Sequence, residues 1–124
     1  MLNSKKINIG ISIGDPNGIG IEIILKVLSE SYLYAECNFI IYSSLDLITK
    51  QQDFFKIKTL PLKKINSLDG IVSDHINIKE VFSSSKFEFG KNDKEISANG
   101  VISFTEAVKD AKSKKIDILI TAPI

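Results

Sequence analysis

Arginine is absent from this sequence of 124 residues, whose basic residues are all lysine. Any phosphate bound here would therefore be held by backbone amides and lysine ammonium groups, not by bidentate guanidinium contacts. Cysteine is scarce too: the single Cys37 excludes an internal disulfide and is predicted to be a small core residue. A formal net charge of +1 gives no electrostatic reason to expect binding to nucleic acid or to an anionic membrane.

Histidine is equally rare, since His75 is the only one. A catalytic metal site needs about three protein ligands held close together. One histidine and one cysteine at unrelated positions leave only scattered carboxylates. We therefore predict no metal ligand and no catalytic residue in this chain, and we assign no role to His75.

Long apolar runs are also missing. Gly10, Gly14 and Asp15 interrupt the apolar stretch that follows Lys5 and Lys6, so neither a signal peptide nor a membrane span fits. We therefore expect a cytoplasmic protein. The composition, 44% hydrophobic and 25% charged residues, is ordinary for a soluble chain of one domain at most.

A glycine-rich turn, Gly14–Gly20, is the most informative stretch of the sequence. Apolar residues alternate over Ile7–Ile13, which predicts a strand, and the apolar spacing over 21–28 predicts a helix after the turn. Free N–H groups and the helix dipole favour an anion at such a helix start. The spacing matches neither the Walker loop nor the dinucleotide fingerprint. Two interpretations stay open: an anion-binding turn, or only a tight connection from strand to helix.

The remaining apolar runs predict an α/β fold. Strands or extended pieces are predicted at 38–42, 58–62, 76–81 and 116–120. Their alternation with helical segments favours a parallel sheet with helices packed on it. Because ligands bind beyond the carboxyl ends of such strands, Gly14–Gly20 and Thr121–Pro123 are both well placed for a site.

Two further helices complete this prediction. Ser43 and Ser44 can cap a second helix, whose inward side chains would be Leu45, Ile48 and Phe54. Ser97-Ala98-Asn99-Gly100 leads into a third helix. Its apolar face has spacings of three and four residues and is formed by Val101, Ile102, Phe104, Ala107, Val108 and Ala111. The lysines near its C-terminal end are interpreted as a solvated helix end.

Two motifs together resemble one enzyme family. Residues 13–23, Ile-Gly-Asp-Pro-Asn-Gly-Ile-Gly-Ile-Glu-Ile, resemble the N-terminal signature of the 4-hydroxythreonine-4-phosphate dehydrogenase family of pyridoxal phosphate biosynthesis. Residues 117–124, Asp-Ile-Leu-Ile-Thr-Ala-Pro-Ile, resemble a later strand of that family. Between them, Gly90-Lys91, Ser97-Ala98 and Gly100 resemble the segment before its long helix. Ile21 departs from the pattern, which usually has proline there.

The resemblance implies a three-layer α/β/α fold of the isocitrate/isopropylmalate dehydrogenase type and a homodimer. It implies oxidation and decarboxylation of 4-phosphohydroxy-L-threonine to 3-amino-2-oxopropyl phosphate, with NAD or NADP and a divalent metal (Zn, Mg or Co). Family members are much longer, and their metal-binding histidines lie beyond the Thr-Ala-Pro-Ile strand. We therefore expect residues 1–124 to be an N-terminal part of the enzyme, truncated after that strand and inactive alone, with the metal on the remainder.

Six residues are predicted to contact substrate or cofactor in the intact enzyme: Gly14, Asp15, Asn17, Gly18, Gly20 and Thr121. Two roles stay open for Asp15, which could bind polar groups of the ligand or fix the turn by accepting bonds from nearby amides. Thr121 offers a hydroxyl at a strand tip. A noncatalytic phosphate-binding module or a degenerate remnant stays the alternative function.

Overall fold

The computed structural model describes residues 5–123, which contain five strands and three α-helices. In chain order these are β1 (Ile7–Ser12), α1 (Gly20–Leu28), β2 (Cys37–Ser43), α2 (Leu45–Phe55), β3 (Leu62–Ile65), β4 (Ile76–Glu80), α3 (Lys94–Lys112) and β5 (Ile118–Thr121). Short 3₁₀ helices occupy Ser31–Ala35 and Leu68–Gly70 in the connections. Ile124, the last residue of the second family motif, lies outside the described residues.

The five strands form one parallel sheet in the order β3-β4-β2-β1-β5. β1 is its second strand from one edge and has β2 on one side and β5 on the other. Because parallel strands need crossover connections, helices cover both faces of the sheet. The three layers confirm the predicted α/β/α architecture.

The first face of the sheet, which carries Ile9 and Ile11, packs against α1 and α2. Its core is mostly aliphatic, with Tyr34 and Phe39 as buried aromatic members, and Cys37 packs at its margin. Ser44 caps α2 as predicted, because its hydroxyl accepts the Leu47 N–H at 3.1 Å. The fully buried helical residues on this face include Ile21, Leu25, Leu28, Leu47 and Ile48.

The second face, which carries Ile40 and Tyr42, packs against α3. The predicted apolar face of α3 is wrong: Val101, Ile102 and Phe104 are exposed, and of the six predicted residues only Ala107 is fully buried. The buried residues of α3 are Ile96, Gly100, Ser103, Ala107 and Asp110. Small side chains let this helix approach the sheet closely, while Tyr42 and Ile116 fill the volume between them.

Two boundary predictions, and the inward position predicted for Phe54, also need correction. α3 begins at Lys94 because Asp93 caps it, accepting the Ile96 N–H at 3.1 Å. The extended piece predicted at 58–62 is mostly loop, and β3 begins only at Leu62, one residue after Pro61, whose ring removes a ladder donor. Phe54 is 61% exposed and packs against Phe55 and two phenylalanines of the loop after β4, Phe87 and Phe89.

Within residues 5–123, no helix combines the length and the apolar character that crossing a membrane would require. His75 is half-buried, and one of its ring nitrogens lies 3.0 Å from the Ser73 carbonyl oxygen.

Candidate functional site

The glycine-rich turn is a compact loop held by its own Asp15. The Gly18 N–H donates to the Asp15 carbonyl oxygen at 2.9 Å, and the Asn17 N–H donates to the Asp15 carboxylate at 2.9 Å. Gly14 has a φ of 71°, the left-handed region that favours glycine. The second carboxylate oxygen of Asp15 accepts the Ser97 hydroxyl at 2.8 Å, which ties the turn to the start of α3. Asp15 therefore fixes the turn, and a direct contact with ligand stays a prediction.

Asn17 fastens the loop after β4 to the same turn. Its side-chain amide donates to the Lys91 carbonyl at 3.0 Å and accepts the Glu88 N–H at 2.6 Å, and its own carbonyl accepts the Gly90 N–H at 3.1 Å. The side chain is buried. Because both ends of the amide have partners within the protein, Asn17 shapes the wall of the candidate site.

Close packing explains the glycines at positions 14, 20 and 100. A β-carbon at Gly20 would lie 2.8 Å from the Ala122 β-carbon and 2.5 Å from the Ile13 carbonyl oxygen. One at Gly14 would collide with the Pro123 carbonyl, and one at Gly100 with the Gly14 carbonyl. These glycines bring β1, α3 and the residues after β5 into contact, so they serve the fold first.

Gly18 differs from these three glycines. The nearest atom to a β-carbon there is the Asp15 carbonyl oxygen at 3.3 Å. Gly18 is half-buried. Close packing therefore explains Gly18 less well than it explains the other three glycines, and its predicted contact with a ligand stays a prediction.

The turn and the end of β5 lie side by side at the carboxyl ends of the strands, as predicted. Ser12 lies opposite Thr121 in the register of β1 and β5, and the Ala122 N–H donates to the Ser12 carbonyl at 3.0 Å. Thr121 is exposed. The connection after β1 leads to β2 on one side, whereas β5 lies on the other side, so this is the point where the strand order switches direction.

Among the described residues, no side chain caps the start of α1, because its N-cap, Ile19, supplies no acceptor to the first helical turn. Ile19 is 62% exposed, whereas the first two helical residues, Gly20 and Ile21, are buried. Behind the turn, the buried Gln51 of α2 donates to the Pro16 carbonyl at 2.9 Å and holds the turn from below. A helix start without a side-chain cap, together with the helix dipole, generally favours a phosphate or carboxylate.

Sequence reasoning did not predict three contacts of this turn. Gln51 carries no local signal, because its partner Pro16 is distant in sequence. Ser97 and Gly100 belong to the stretch that resembles the family, but their contacts with Asp15 and Gly14 were not predicted. Among residues 5–123 no group of three or more histidine, cysteine, aspartate or glutamate side chains could hold a metal.

Comparison with known proteins agrees with the resemblance. No protein-family model matches the chain. A 4-hydroxythreonine-4-phosphate dehydrogenase of Sulfurihydrogenibium sp. (strain YO3AOP1) is 33% identical over 118 residues, which are 95% of this chain and 36% of that protein. The chain is thus similar to about a third of a 4-hydroxythreonine-4-phosphate dehydrogenase. The enzyme of that name from Bacteroides thetaiotaomicron is 27% identical over 124 residues, 99% of this chain and 34% of the relative.

A second group of relatives carries a different substrate in its name. Proteins of Clostridium botulinum provisionally designated D-threonate 4-phosphate dehydrogenases are 30% identical over 141 aligned positions, covering 100% of this chain and 38% of theirs. The chain thus spans about a third of the length of the curated relatives it matches.

Solved dehydrogenase structures share the fold. The 4-hydroxythreonine-4-phosphate dehydrogenase of Burkholderia phymatum superposes with a TM-score of 0.84 at 22% identity, over 97% of this chain and 37% of that one. The Klebsiella pneumoniae enzyme of the same name gives a TM-score of 0.77 at 22% identity, with the same coverage of 97% and 37%. At this identity the likeness supports the three-layer fold.

Proposed function

We propose that this chain forms part of a dehydrogenase that oxidises a small phosphorylated hydroxy acid with NAD or NADP. The main observation in support is that the Gly14–Gly20 turn and Thr121 lie side by side at the carboxyl ends of β1 and β5, where the strand order switches direction. Relatives at 27% and 33% identity are named dehydrogenases of 4-hydroxythreonine 4-phosphate, which supports this reaction class.

The residues of the turn suit a phosphate-bearing ligand. First-turn N–H groups of α1 would bind the anion, and Gly18 would let it approach the backbone. Thr121 would orient the ligand through its hydroxyl, while Asp15 and Asn17 hold the wall in place. A nicotinamide cofactor supplies the hydride acceptor in a dehydrogenase.

A divalent metal does not fit the side chains of residues 5–123, because they contain no cluster of three candidate ligands. We therefore place no step of the reaction on a metal held by these residues. A phosphate-binding module without catalysis stays the second candidate function, because the uncapped start of α1 could bind an anion without any catalytic group. The substrate preference also stays open between 4-phosphohydroxy-L-threonine and D-threonate 4-phosphate, since relatives of both names match. We also propose that the intact protein assembles as a homodimer.

The first test is an assay of the protein expressed from its complete reading frame. NADH or NADPH formation is followed at 340 nm with each of the two phosphorylated substrates, and with unphosphorylated 4-hydroxythreonine as control. We expect turnover only with a phosphorylated substrate. Binding of a phosphorylated substrate without turnover would support the noncatalytic module, and absence of both binding and turnover would contradict the proposed function.

A second test probes the turn itself. Gly18→Val should weaken binding of substrate or cofactor by about tenfold or more, because the new side chain fills the space at the outer side of the turn. Gly70→Val is the matched control, since Gly70 lies in a distant 3₁₀ helix where a β-carbon would make only ordinary contacts, the nearest at 3.4 Å. Unchanged affinities for both ligands in Gly18→Val would reduce the turn to a connector.

A further inference from the structure

A second concave site lies at the opposite end of the sheet from the glycine-rich turn. It is a cavity of about 560 Å³ on the second face, bounded by the segment before β1, the turn from α3 to β5 and residues 67–71 after β3. β1 has six residues, which at about 3.3 Å each separates this site from the turn by roughly 20 Å. The volume lies within the range of small-molecule sites, about 300–1,000 Å³.

The lining of this cavity is strongly basic. Four lysines border it, Lys5, Lys6, Lys114 and Lys115, against the single acidic residue Asp69. Lys6 is engaged with the Tyr34 carbonyl, the Ser73 hydroxyl and Asp74. Among the described residues, no carboxylate lies within 4.0 Å of the other three ammonium groups, although Asp117 lines a smaller adjoining cavity. The excess of positive charge is local, because the whole chain has a net charge of only +1.

The backbone fixes two of these lysines in position. Lys114 adopts a left-handed conformation with a φ of 59° just after α3. Its N–H donates to the Ala111 carbonyl at 3.1 Å, and the Lys115 N–H donates to the Asp110 carbonyl at 2.9 Å. The turn therefore presents two adjacent lysines from a closed, hydrogen-bonded loop.

The floor of the cavity is polar where a central sheet is normally apolar. Asn8 of β1 and Asn38 of β2 are direct neighbours in the register, and the Asn38 amide donates to the Asn8 side-chain oxygen at 3.0 Å. Asparagine is unfavourable in strands, so a facing pair on two inner strands needs a reason. Lysines at the end of α3 could be explained by the helix dipole alone, but that explanation covers neither Lys5 nor the asparagine pair.

We propose that this lysine cavity binds a small polyphosphate ligand. Lysine ammonium groups would neutralise successive phosphates as point charges, and the asparagine pair would bond the ligand at the floor. The inference is independent of the proposed dehydrogenase function, because the two sites lie at opposite ends of the strands.

The test is isothermal titration calorimetry of the intact protein with inorganic tripolyphosphate, with orthophosphate as a weaker comparison ligand. The variant Lys114→Asn/Lys115→Gln should bind tripolyphosphate at least about tenfold more weakly, because two charged donors are lost. Asparagine at position 114 tolerates the left-handed backbone. Lys5→Gln provides a second variant from a separate segment, with a smaller expected loss.

The chain offers a closely matched control in Lys56→Asn/Lys58→Gln. Lys56 has a φ of 55° at the end of α2 and, with Lys58, lines a separate cavity of about 490 Å³. It therefore repeats both the charge change and the backbone context of the test variant. Affinity kept in this control and lost in the Lys114/Lys115 variant would support the site.

Three results would overturn the inference. Equal losses in the two double variants would mean nonspecific attraction to positive charge. Loss in Gly18→Val with no loss in Lys114→Asn/Lys115→Gln would mean that tripolyphosphate binds the glycine-rich turn. Absence of detectable binding at low salt, where electrostatic attraction is least screened, in titrations at two temperatures that exclude a vanishing enthalpy, would show that the cavity does not bind such ligands. Thermal melts of each variant confirm that the fold is retained.

Discussion

The two faces of the sheet are held by different kinds of contact. The first face joins aliphatic strand residues to α1 and α2 through an apolar core that includes Leu25 and Leu28. On the second face, α3 approaches through small residues, and polar bonds join it to the strands. Ser103 accepts the Ile13 N–H at 3.1 Å and donates to the Tyr42 carbonyl at 2.6 Å. Apolar burial thus holds α1 and α2 on the first face, while small side chains and hydrogen bonds position α3 on the second.

The centre of the second face is a buried network of three side chains. The Tyr42 hydroxyl and the Lys79 ammonium group each donate to one carboxylate oxygen of Asp110, both at 2.8 Å. Asp110 and Lys79 are largely buried, with side chains 7% and 17% exposed. This network connects α3 with β2 and β4. Substitutions in it should therefore lower stability through lost polar contacts, whereas substitutions on the first face should lower it through lost apolar burial.

The largest effect is expected for Asp110→Ala. Removing the carboxylate leaves the Lys79 charge and the Tyr42 hydroxyl without their buried partner, which should lower the free energy of unfolding by about 3–5 kcal/mol. Urea unfolding followed by circular dichroism measures the change. The double variant Asp110→Leu/Lys79→Met should recover much of the loss, because it removes both charges. A double variant no more stable than Asp110→Ala would show that packing of α3, and not an uncompensated charge, is responsible.

A somewhat smaller loss is expected on the first face for Leu25→Ala. Leu25 is fully buried in the aliphatic core, and its truncation should cost about 2–5 kcal/mol of unfolding free energy through lost burial and a residual cavity. Val27→Ala on the exposed side of α1 is the control and should change stability little. Unlike the loss in Asp110→Ala, this loss should not be recovered by any second charge substitution.

The smallest effect concerns pH. Burial raises the pKa of Tyr34 on the first face from 10.0 to about 12. The folded state thus favours the neutral phenol, and this contribution to stability is fully present below pH 10 and is lost as the pH rises towards 12. Tyr34→Phe should cost about 1 kcal/mol at pH 8, where it removes the bond to the Leu28 carbonyl, and should flatten the decline above pH 10.

Tyr42 on the second face provides the comparison for that measurement. Burial raises its pKa, and the bond to Asp110 and the charges of Asp110 and Glu106 raise it further. Unfolding free energies of Tyr34→Phe and Tyr42→Phe, measured from pH 8 to pH 12, should therefore both show a weaker decline than the parent protein. If the unfolding free energy of Tyr34→Phe declined with pH as steeply as that of the parent protein, burial of Tyr34 would not be a cause of the decline.

The difference between the faces also explains what the sequence predicted. Alternating isoleucines and helical spacing predict β1, α1 and the aliphatic face correctly, because burial follows hydrophobic periodicity there. The same rule misassigns α3, where Gly100, Ser103 and Asp110 face the sheet while Val101 and Phe104 face outward. The burial of these polar residues is explained only by their hydrogen-bond partners, which lie on β2, on β4 and at Ile13 just after β1.

The candidate site shows the same division. The parallel-sheet rule predicts that Gly14–Gly20 and Thr121 meet, since both follow strands that turn out to be neighbours. Local sequence could not show that Asn17 fastens residues 88–91, because those contacts span more than 70 positions. Nor could it show that Gly14 and Gly20 pack against Ala122 and Pro123, which required the register of β1 and β5.

The place of β5 has a consequence for how the polypeptide acquires its shape. During synthesis, β1 leaves the ribosome early but lacks its second neighbour until residues 118–121 emerge, more than a hundred positions later. Such distant pairings close slowly. Gly14 and Gly20 also lack part of their packing until Ala122 and Pro123 arrive. We therefore expect β1 and the turn after it to reach their final conformation only once β5 has paired with β1.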